Sequence, residues 1–428
     1  MTNITAANLT LVIILPLWLF LIIMLGRFFS VYVHKTVIHI LTLLSSFLGG
    51  ITCIIAYFNL NNSFDWILPF IKINNFVINF GIHVDKLSVI LGALLFIISF
   101  FVQIFSVFCM KEEKKEYRFF ALLNLFNFSM AFLIFSPNLF QFYAFWELVS
   151  IVSYLLIGFD YNKREKSIAA KRVFILNRIG DCALIGAIIF ASYFMYNYAA
   201  DKSFSSLSFE DINSISLLLS VYAPHIFYKG ICILFIVGAM VKSAQFPFHT
   251  WLQDAMEAKL PVSALLHSAT MVVAGVYLIM KLVPLFTLDN GIMQLIICIG
   301  LTTAIICSVM AIFETHPKKV LAYSTSANLG MMFWGLGTGN IQAALIFLLA
   351  HAIIKSSLFL SLPNENGEWS YTKFALFVLN AASLGGILSA GFISKEILYN
   401  AIYQDKIVLG ILVFLMPALY MSKLAYTL

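Results

Sequence analysis

The segment Ile236–Leu252 reads IVGAMVKSAQFPFHTWL, and it decides what kind of protein this chain is. Within this apolar run, Lys242 comes five residues before Pro247. Because proline cannot donate a backbone hydrogen bond and clashes with the preceding turn, we expect the helix to break near it. A charged residue beside such a break is typical of a transport site inside a membrane. The alternative is a lysine whose ammonium group reaches the membrane interface.

The composition of the whole chain agrees with a membrane location. Of its 428 residues, 61% are hydrophobic and 11% are charged, whereas soluble domains are about 45–50% apolar and about 25% charged. A soluble enzyme, a disordered chain and a nucleic-acid-binding protein are therefore poor fits. The net charge of +6 comes from basic residues in short connectors, so we expect no nucleic-acid partner.

Neither a metal nor an organic cofactor is expected in this chain. The six cysteines are scattered singly through apolar runs, which argues against an iron–sulfur, zinc or disulfide framework. The sequence contains no G-x-G-x-x-G unit after a strand, so no dinucleotide site is predicted. Any redox chemistry would then belong to partner subunits.

Apolar runs of roughly 20 residues, the length that a membrane helix needs, recur along the chain. The predicted fold class is an all-α membrane protein with about 13 transmembrane helices. We place these spans at residues 9–29, 36–60, 86–110, 117–136, 139–159, 168–198, 224–246, 261–284, 290–313, 318–337, 340–361, 372–400 and 407–427. The connector 60–85 has apolar patches and is expected to cap the bundle. The segment 207–220 is too short and too rich in serine to span.

Four basic connectors predict how the chain is oriented. They follow the first, third, fifth and ninth predicted spans and comprise Arg27–Lys35, Lys111–Arg118, Lys163–Arg172 and Pro317–Lys319. All four therefore lie on one side, which the positive-inside rule makes cytoplasmic. We expect the N-terminus outside and the C-terminus in the cytoplasm. The richness in Phe, Ile, Asn and Lys resembles products of AT-rich genomes and favours a bacterial inner membrane over a mitochondrial one.

Several ionisable residues lie inside the predicted spans, where a charge costs about 2.5–3.5 kcal/mol on insertion scales. Such residues face the bundle interior or water, and they are functional by default. The candidates are Glu147, Lys242, His267, His351, Lys355 and Lys395, with Arg178, Asp181, Pro247 and Glu396 in supporting positions. His351 and Lys355 are four residues apart and share one helix face.

Structural explanations remain open for some of these residues. The Glu147 carboxylate could pair with a neighbouring helix for packing alone. The His267 ring could be a satisfied hydrogen-bonding group rather than a proton carrier. Arg178 and Asp181 are three residues apart and could form only a local salt bridge.

Lys242 and Lys395 lie in similar settings, an odd number of predicted spans apart. Three glycines weaken the helix before Lys395, namely Gly385, Gly386 and Gly391. This pattern fits two inverted repeats of five helices, each with one broken helix. We therefore divide the chain into N-terminal helices with a connector, a first repeat and a second repeat, at residues 1–115, 116–285 and 286–428.

Five motifs show a resemblance to a known family: Trp251–Leu278, Lys318–Gly330, His83–Ser88, Phe145–Phe159 and Asn177–Asp181. They resemble the antiporter-like subunits, which are the proton-translocating membrane subunits of respiratory complex I (NADH:quinone oxidoreductase) and their relatives in multisubunit sodium/proton antiporters. Within that family the motifs are most similar to the largest member of complex I, subunit 5 or L.

The resemblance implies roles for the same charged residues. It makes Glu147 the glutamate of the fifth core helix and His267 a connecting histidine. It makes Lys242 and Lys395 the lysines of the two broken helices, and His351 with Lys355 the pair midway between them. Together they would form a hydrated polar line across the membrane midplane. A changing distance between the Glu147 carboxylate and the Lys242 ammonium would drive proton release towards Lys395.

Three departures from the family pattern affect the expected function. Ala258, Lys259 and Leu260 replace a Gly-Pro-Thr element, and the connector Leu362–Lys373 is short. The lateral helix of the largest subunit does not follow, which suggests a shortened paralogue or a fragment. The expected partners are the other membrane subunits of complex I, the lipid bilayer and protons. The alternatives are a subunit of a sodium/proton antiporter assembly and a non-pumping structural paralogue.

Overall fold

A computed structural model describes residues 3–29, 34–60, 62–73, 76–198, 207–209, 212–363, 371–385 and 390–402, together with positions 417, 419, 420 and 423. Sixteen α-helices, one short 3-10 helix (Ala255–Glu257) and one two-stranded sheet are present in these residues. The elements of the first half are α1 Asn3–Phe28, α2 Lys35–Asn59, β1 Phe64–Ile73, β2 Phe76–Val84, α3 Lys86–Cys109, α4 Glu116–Ile134, α5 Leu139–Ile157, α6 Arg164–Tyr198 and α7 Ile212–Tyr222. Those of the second half are α8 His225–Lys242, α9 Thr250–Asp254, α10 Leu260–Ser268, α11 Met271–Phe286, α12 Asn290–Phe313, α13 Pro317–Gly337, α14 Ile341–Ser361, α15 Tyr371–Gly385 and α16 Ala390–Ile402.

Ten stretches of helix in the described residues are long and apolar enough to cross a membrane. They correspond to the first nine predicted spans and to the eleventh, with α10 and α11 together forming one of them. The predicted spans 318–337 and 372–400 coincide with α13 and with α15 and α16. The last predicted span, 407–427, falls almost entirely outside the described residues. The mostly helical membrane fold is thus confirmed, while the count of 13 spans stays a prediction.

The chain forms two compact units, and the predicted division at residues 1–115, 116–285 and 286–428 stays a prediction. Unit 1 contains Met1–Tyr161 and Ile185–Pro224, and unit 2 contains Asn162–Leu184 and His225–Leu428. Helix α6 belongs to both, because its first part lies in unit 2 and its second part in unit 1. The boundaries of the inverted repeats stay a prediction.

At one end of unit 1, two of the four predicted basic connectors lie together. The Lys35 ammonium is 2.7 Å from the Glu116 carboxylate, and the Arg27 guanidinium stacks over the Tyr117 ring at 5.0 Å. The Lys115 ammonium donates a hydrogen bond of 2.8 Å to the Tyr161 hydroxyl, and this bond lowers the pKa of that phenol. We call this end of the unit the basic face.

The connector 60–85 forms a hairpin, which the sequence analysis did not predict. Strands β1 and β2 pair antiparallel, with Asp65 opposite His83 and an irregularity after Pro69. Asn138 and Gln141, at the start of α5, anchor this hairpin. The Asn138 amide donates to the Asn79 carbonyl at 2.7 Å, and the Gln141 amide exchanges two hydrogen bonds with the Gly81 backbone. The hairpin therefore covers the turn between α4 and α5, as expected of a cap.

In unit 2, α12 and α13 cross closely because two glycines face each other. A Cβ atom at Gly330 would lie 2.6 Å from the Gly300 carbonyl oxygen, and one at Gly300 would lie 2.5 Å from the Gly330 carbonyl oxygen. Only residues without a side chain permit backbones to approach so closely. This crossing fixes the position of α13, which carries polar groups described below.

Candidate functional site

Helix α8 ends at Lys242 in a tight hydrogen-bonded turn. The Gln245 amide donates to the Met240 carbonyl at 2.8 Å, and the Ala244 amide donates to the Val241 carbonyl at 3.2 Å. Ala244 has a φ of +49°, so the chain leaves the helix through the left-handed conformation of a Schellman cap. The predicted break is therefore present, and it begins before Pro247. Lys242 is the last residue with helical geometry.

Side chains satisfy the backbone groups that the break sets free. The Trp251 indole donates to the Val241 carbonyl at 2.7 Å, and the Gln245 amide donates to the Ser243 carbonyl at 2.9 Å. The Ser243 hydroxyl joins the break to α11 by donating to the Val272 carbonyl at 2.8 Å. Irregular backbone at membrane depth is tolerated where such groups are paired inside protein. The break is thus a built feature of unit 2.

Lys242 is fully buried and lies beside an acidic residue of α6. Its ammonium is 3.7 Å from one carboxylate oxygen of Asp181, and the other oxygen is 2.9 Å from the Arg178 guanidinium. The side chains of Lys242 and Asp181 are 1% and 2% exposed. The expected pair of Arg178 and Asp181 is present, and the structure extends it to Lys242. Sequence reasoning treated this pair as separate from the lysine.

Glu147 lies in unit 1, at the ninth of the nineteen residues of α5. Its carboxylate accepts a hydrogen bond of 2.8 Å from the Tyr143 hydroxyl, one helical turn earlier. The side chain is half-buried. A carboxylate at this depth of a spanning helix is costly, as the sequence analysis argued.

His267 is buried, and the helix ends immediately after it. Helix α10 stops at Ser268 and α11 begins at Met271, so the predicted span 261–284 is interrupted. The Thr270 hydroxyl donates to the Leu265 carbonyl at 2.6 Å across this gap. Neither ring nitrogen of His267 hydrogen-bonds to a residue that the structure describes. The apolar run around His267 had predicted one continuous helix, and this interruption was not predicted.

His351 and Lys355 face α13, where small polar residues meet them. The Asn328 amide is 3.1 Å from Nδ1 of His351, and the Lys355 ammonium donates to the Leu321 carbonyl at 3.0 Å. The same ammonium also donates to the Ser324 hydroxyl. His351 and Lys355 are 1% and 0% exposed. Ser324 and Asn328 are thus functional candidates that sequence reasoning missed, although their spacing of four residues on one face was a usable signal.

Lys395 lies on α16 and is buried, whereas the neighbouring Glu396 is exposed. Lys355 interacts electrostatically with Lys395, and also with His267 and His351. Four of the candidates therefore form one connected group within unit 2. The predicted span 372–400 is described as two helices, α15 ending at Gly385 and α16 beginning at Ala390. Residues 386–389, which include Gly386, lie outside the described residues, so the predicted break of this span stays a prediction.

The chain matches two family models. Residues 136–419 match the model described as NADH:quinone oxidoreductase/Mrp antiporter, TM. Residues 70–120 match the one described as NADH-Ubiquinone oxidoreductase (complex I), chain 5 N-terminus.

Two relatives show the same similarity along most of the chain. The chain is 35% identical over 421 residues to the chloroplastic NAD(P)H-quinone oxidoreductase subunit 5 of Zygnema circumcarinatum, covering 92% of this chain and 59% of the relative. It is 35% identical over 376 residues to the NADH-quinone oxidoreductase subunit L of Rickettsia typhi, covering 84% and 57%. The chain thus spans a little over half the length of these relatives.

Two solved structures share the fold. A chain of the Mrp complex from Dietzia sp. DQ12-45-1b has a TM-score of 0.79 at 23% identity, with 98% of this chain and 46% of that chain covered. A chain of the membrane-bound sulfane sulfur reductase, an archaeal respiratory membrane complex, has a TM-score of 0.82 at 17% identity, with 98% and 88% covered. At these identities the likeness concerns the fold alone.

Proposed function

Because the chain belongs to the family of membrane subunits shared by NADH:quinone oxidoreductases and Mrp antiporters, we propose that it translocates protons within a respiratory NADH:quinone oxidoreductase. The observation that carries this proposal is the connected group of His267, His351, Lys355 and Lys395 inside unit 2. Ionisable residues inside membrane helices are expensive and mark ion pathways. A buried lysine, Lys355, that interacts electrostatically with three other buried ionisable residues makes a purely structural role costly.

The proposed pathway begins at Lys242. The Asp181 carboxylate stabilises the ammonium form of Lys242, since an opposite charge favours the charged state. When that contact opens, the lysine releases its proton towards His267. The two ring nitrogens of His267 have no hydrogen-bond partner among the described residues, and buried polar groups are normally paired with protein or water. We therefore assign water to the space around His267.

From His267 the proton passes to Lys355 and His351 and then to Lys395. The Ser324 hydroxyl and the Asn328 amide hold Lys355 and His351 in place. We assign Glu147 the role of a second carboxylate that takes up and releases protons at the middle of unit 1. The chemistry consists of proton transfers only, so the group needs no cofactor in this chain.

We further propose a bacterial inner membrane, with the basic face in the cytoplasm. Lys35, Arg27 and Lys115 lie together at that face, which is how positive-inside connectors are arranged. The N-terminus would then be outside. The partners would be the other membrane subunits of the complex, and electron transfer would take place in other subunits.

Replacing Lys242 with alanine in the assembled complex tests the proposal. The Lys242→Ala and Glu147→Ala variants should lose proton pumping into vesicles while the complex still assembles. Lys281→Ala is the matched control, because Lys281 is also a buried lysine of unit 2 and its ammonium lies over the Tyr277 ring. Wild-type pumping in the Lys242→Ala complex would contradict the proposal.

A second candidate is a subunit of a sodium/proton antiporter, which the fold shared with a chain of the Mrp complex favours. The two functions differ in their dependence on sodium. Proton flux through vesicles that contain the purified assembly should be independent of a sodium gradient if the main proposal holds. Identifying the subunits that co-purify from native membranes separates the two assemblies. A non-pumping structural paralogue would show neither flux.

A further inference from the structure

Unit 1 holds a second set of buried polar side chains, which the pathway above does not use. They lie on the facing sides of α2, α3 and α4, between helices that are otherwise apolar. The Ser46 hydroxyl on α2 donates to the Gln103 amide oxygen on α3 at 2.9 Å. The Ser99 hydroxyl on α3 donates to the Asn127 amide oxygen on α4 at 2.8 Å. Polar groups of three helices thus meet inside one bundle.

Three amide atoms in this set are buried without a hydrogen-bond partner among the described residues: Nε2 of Gln103, Oδ1 of Asn124 and Nδ2 of Asn127. Asn124 and Asn127 are three residues apart on one face of α4, and Ser99 and Gln103 are four apart on one face of α3. Two hydrogen-bond donors and one acceptor on α3 and α4 are therefore available to bind water. Buried waters usually make about three hydrogen bonds to such groups.

The set begins at the basic face, where α4 starts. The Glu116 carboxylate is buried and lies 2.6 Å from Nε2 of His39 and 2.7 Å from the Lys35 ammonium. Asn127 is eleven residues further along α4, which corresponds to about 16 Å at 1.5 Å per residue. That is about half of the roughly 30 Å hydrocarbon core. The set therefore leads from the surface to the membrane midplane.

The midplane end of the set lies at the depth of Glu147. Helix α4 packs against α5 within unit 1, and the two helices run in opposite directions. Asn124 and Asn127 are the ninth and twelfth of the nineteen residues of α4. Glu147 is the ninth of the nineteen residues of α5. Both groups of residues are therefore near the middle of their helices.

We propose that the α2–α3–α4 polar set binds a file of ordered water and is a proton-entry branch from the basic face to Glu147. Glu116 and His39 take up protons at the surface. The water file carries them to the midplane, each oxygen accepting one proton as it gives up another, while the serine hydroxyls and the amides hold the water molecules in line. The use of the branch for transport rests on the proposed function, whereas the presence of water does not.

A purely structural role for this polar set would require side chains that satisfy one another completely. Polar side chains between membrane helices can serve as adhesive hydrogen bonds, and such a pair needs no further partner. Here the two interhelical hydrogen bonds use only part of the amide groups and leave the other atoms buried. Buried polar atoms are normally hydrogen-bonded to protein or to ordered water. We therefore expect water to pair with these atoms, because leaving them unpaired would destabilise the bundle.

Two measurements on the intact complex test this inference. A cryo-EM map that resolves ordered water should show water within hydrogen-bond distance of Nε2 of Gln103 and Nδ2 of Asn127. The Asn127→Leu and Gln103→Met variants, which keep the side-chain size, should lose this water and lower the ratio of protons pumped to electrons transferred. Ser129→Ala is the control on α4, since Ser129 is buried and its one hydrogen bond among the described residues goes to the Leu125 carbonyl of its own helix.

The outcomes separate this inference from the proposed function. An anhydrous site in the wild-type map, or a wild-type pumping ratio in Asn127→Leu, overturns the entry branch. A lowered ratio in Ser129→Ala that matches Asn127→Leu also overturns it, since the effect is then not specific to the polar set. Wild-type pumping in Lys242→Ala overturns the proposed function instead and leaves the hydration result unaffected.

Discussion

Replacing Gly330 with alanine should push α12 and α13 apart and disturb the buried histidine and lysine of α14. A Cβ atom at this position would lie 2.6 Å from the Gly300 carbonyl oxygen and 2.9 Å from the Ala304 amide nitrogen. Both neighbours are backbone atoms, which cannot rotate away. Relaxing the shorter contact to the 3.4 Å of an ordinary contact requires about 0.8 Å of movement.

A movement of that size matters because Asn328 lies two residues before Gly330 on the same helix. Protein N–H···O hydrogen bonds span only about 2.7–3.2 Å, so 0.8 Å is larger than the whole tolerance. The bond between Asn328 and His351 is 3.1 Å long. We expect the variant to disturb this contact and the Ser324 contact to Lys355.

The energetic cost follows from two opposing effects. Forcing extra volume into a packed interface costs about 1–3 kcal/mol, while replacing glycine by alanine inside a helix gains up to about 1 kcal/mol. Gly330→Ala should therefore lose up to about 2 kcal/mol of stability. Gly230→Ala on α8 is the matched control, since a Cβ atom there would meet nothing within 4 Å and only the helix gain remains.

Thermal unfolding of the purified complex and proton pumping in vesicles are the measurements. Gly330→Ala should unfold at a lower temperature than wild type and pump less, whereas Gly230→Ala should unfold at the same or a higher temperature. If both variants were equally stable and pumped equally well, the close crossing of α12 and α13 could not be what positions Ser324 and Asn328.

Three further predictions concern the caps and ion pairs. Asp181→Asn should lower the free energy of unfolding by about 3–5 kcal/mol, because it leaves the Lys242 ammonium buried without its acidic neighbour. A double variant that also carries Lys242→Met should recover part of this loss, as measured by thermal unfolding. No recovery would show that the two residues are not coupled. Partial burial raises the pKa of Asp289, but the hydrogen bonds from Lys229 and the backbone outweigh it and hold that pKa below its usual range. The carboxylate therefore contributes stability at neutral pH that is lost as the pH falls through its lowered pKa, and Asp289→Asn should reduce this acid sensitivity in melting curves taken at several pH values. Ala244→Gly should be more stable than wild type by up to about 1–2 kcal/mol, since glycine avoids the cost of a Cβ atom at positive φ. Ala244→Val should unfold at a lower temperature than wild type, since a β-branched residue resists a positive φ more strongly than alanine; equal stability of these two variants would contradict the left-handed cap.

The sequence predicted the spans well because the membrane imposes one simple requirement. Each crossing helix needs about 20 mostly apolar residues, and this pattern can be read without knowing any neighbour. The hairpin of β1 and β2 was missed because the apolar residues of a hairpin and those of an irregular capping connector give the same sequence pattern. The gap after His267 was missed because Ser268 and Thr270 are common in helices, and only the bond from Thr270 to Leu265 reveals the interruption.

The charged site, too, could be predicted from the sequence only in part. Glu147, Lys242, His351 and Lys355 could be selected from the sequence, since a charge inside an apolar run is conspicuous. The contacts between them could not, since Asp181 is distant in sequence from Lys242, and Asn328, which is distant from His351, is not unusual in its own segment.

The sequence by itself determined that this chain crosses a membrane many times and which charges lie inside it, because hydropathy and burial cost are properties of single residues and short runs. The tertiary structure alone decided which groups meet. It placed the Asp181 carboxylate 3.7 Å from Lys242, set Ser324 against Lys355, and joined Ser46 to Gln103 and Ser99 to Asn127 across pairs of helices. Contacts between helices depend on how whole helices pack, and the composition of one helix does not specify the polar group on its neighbour.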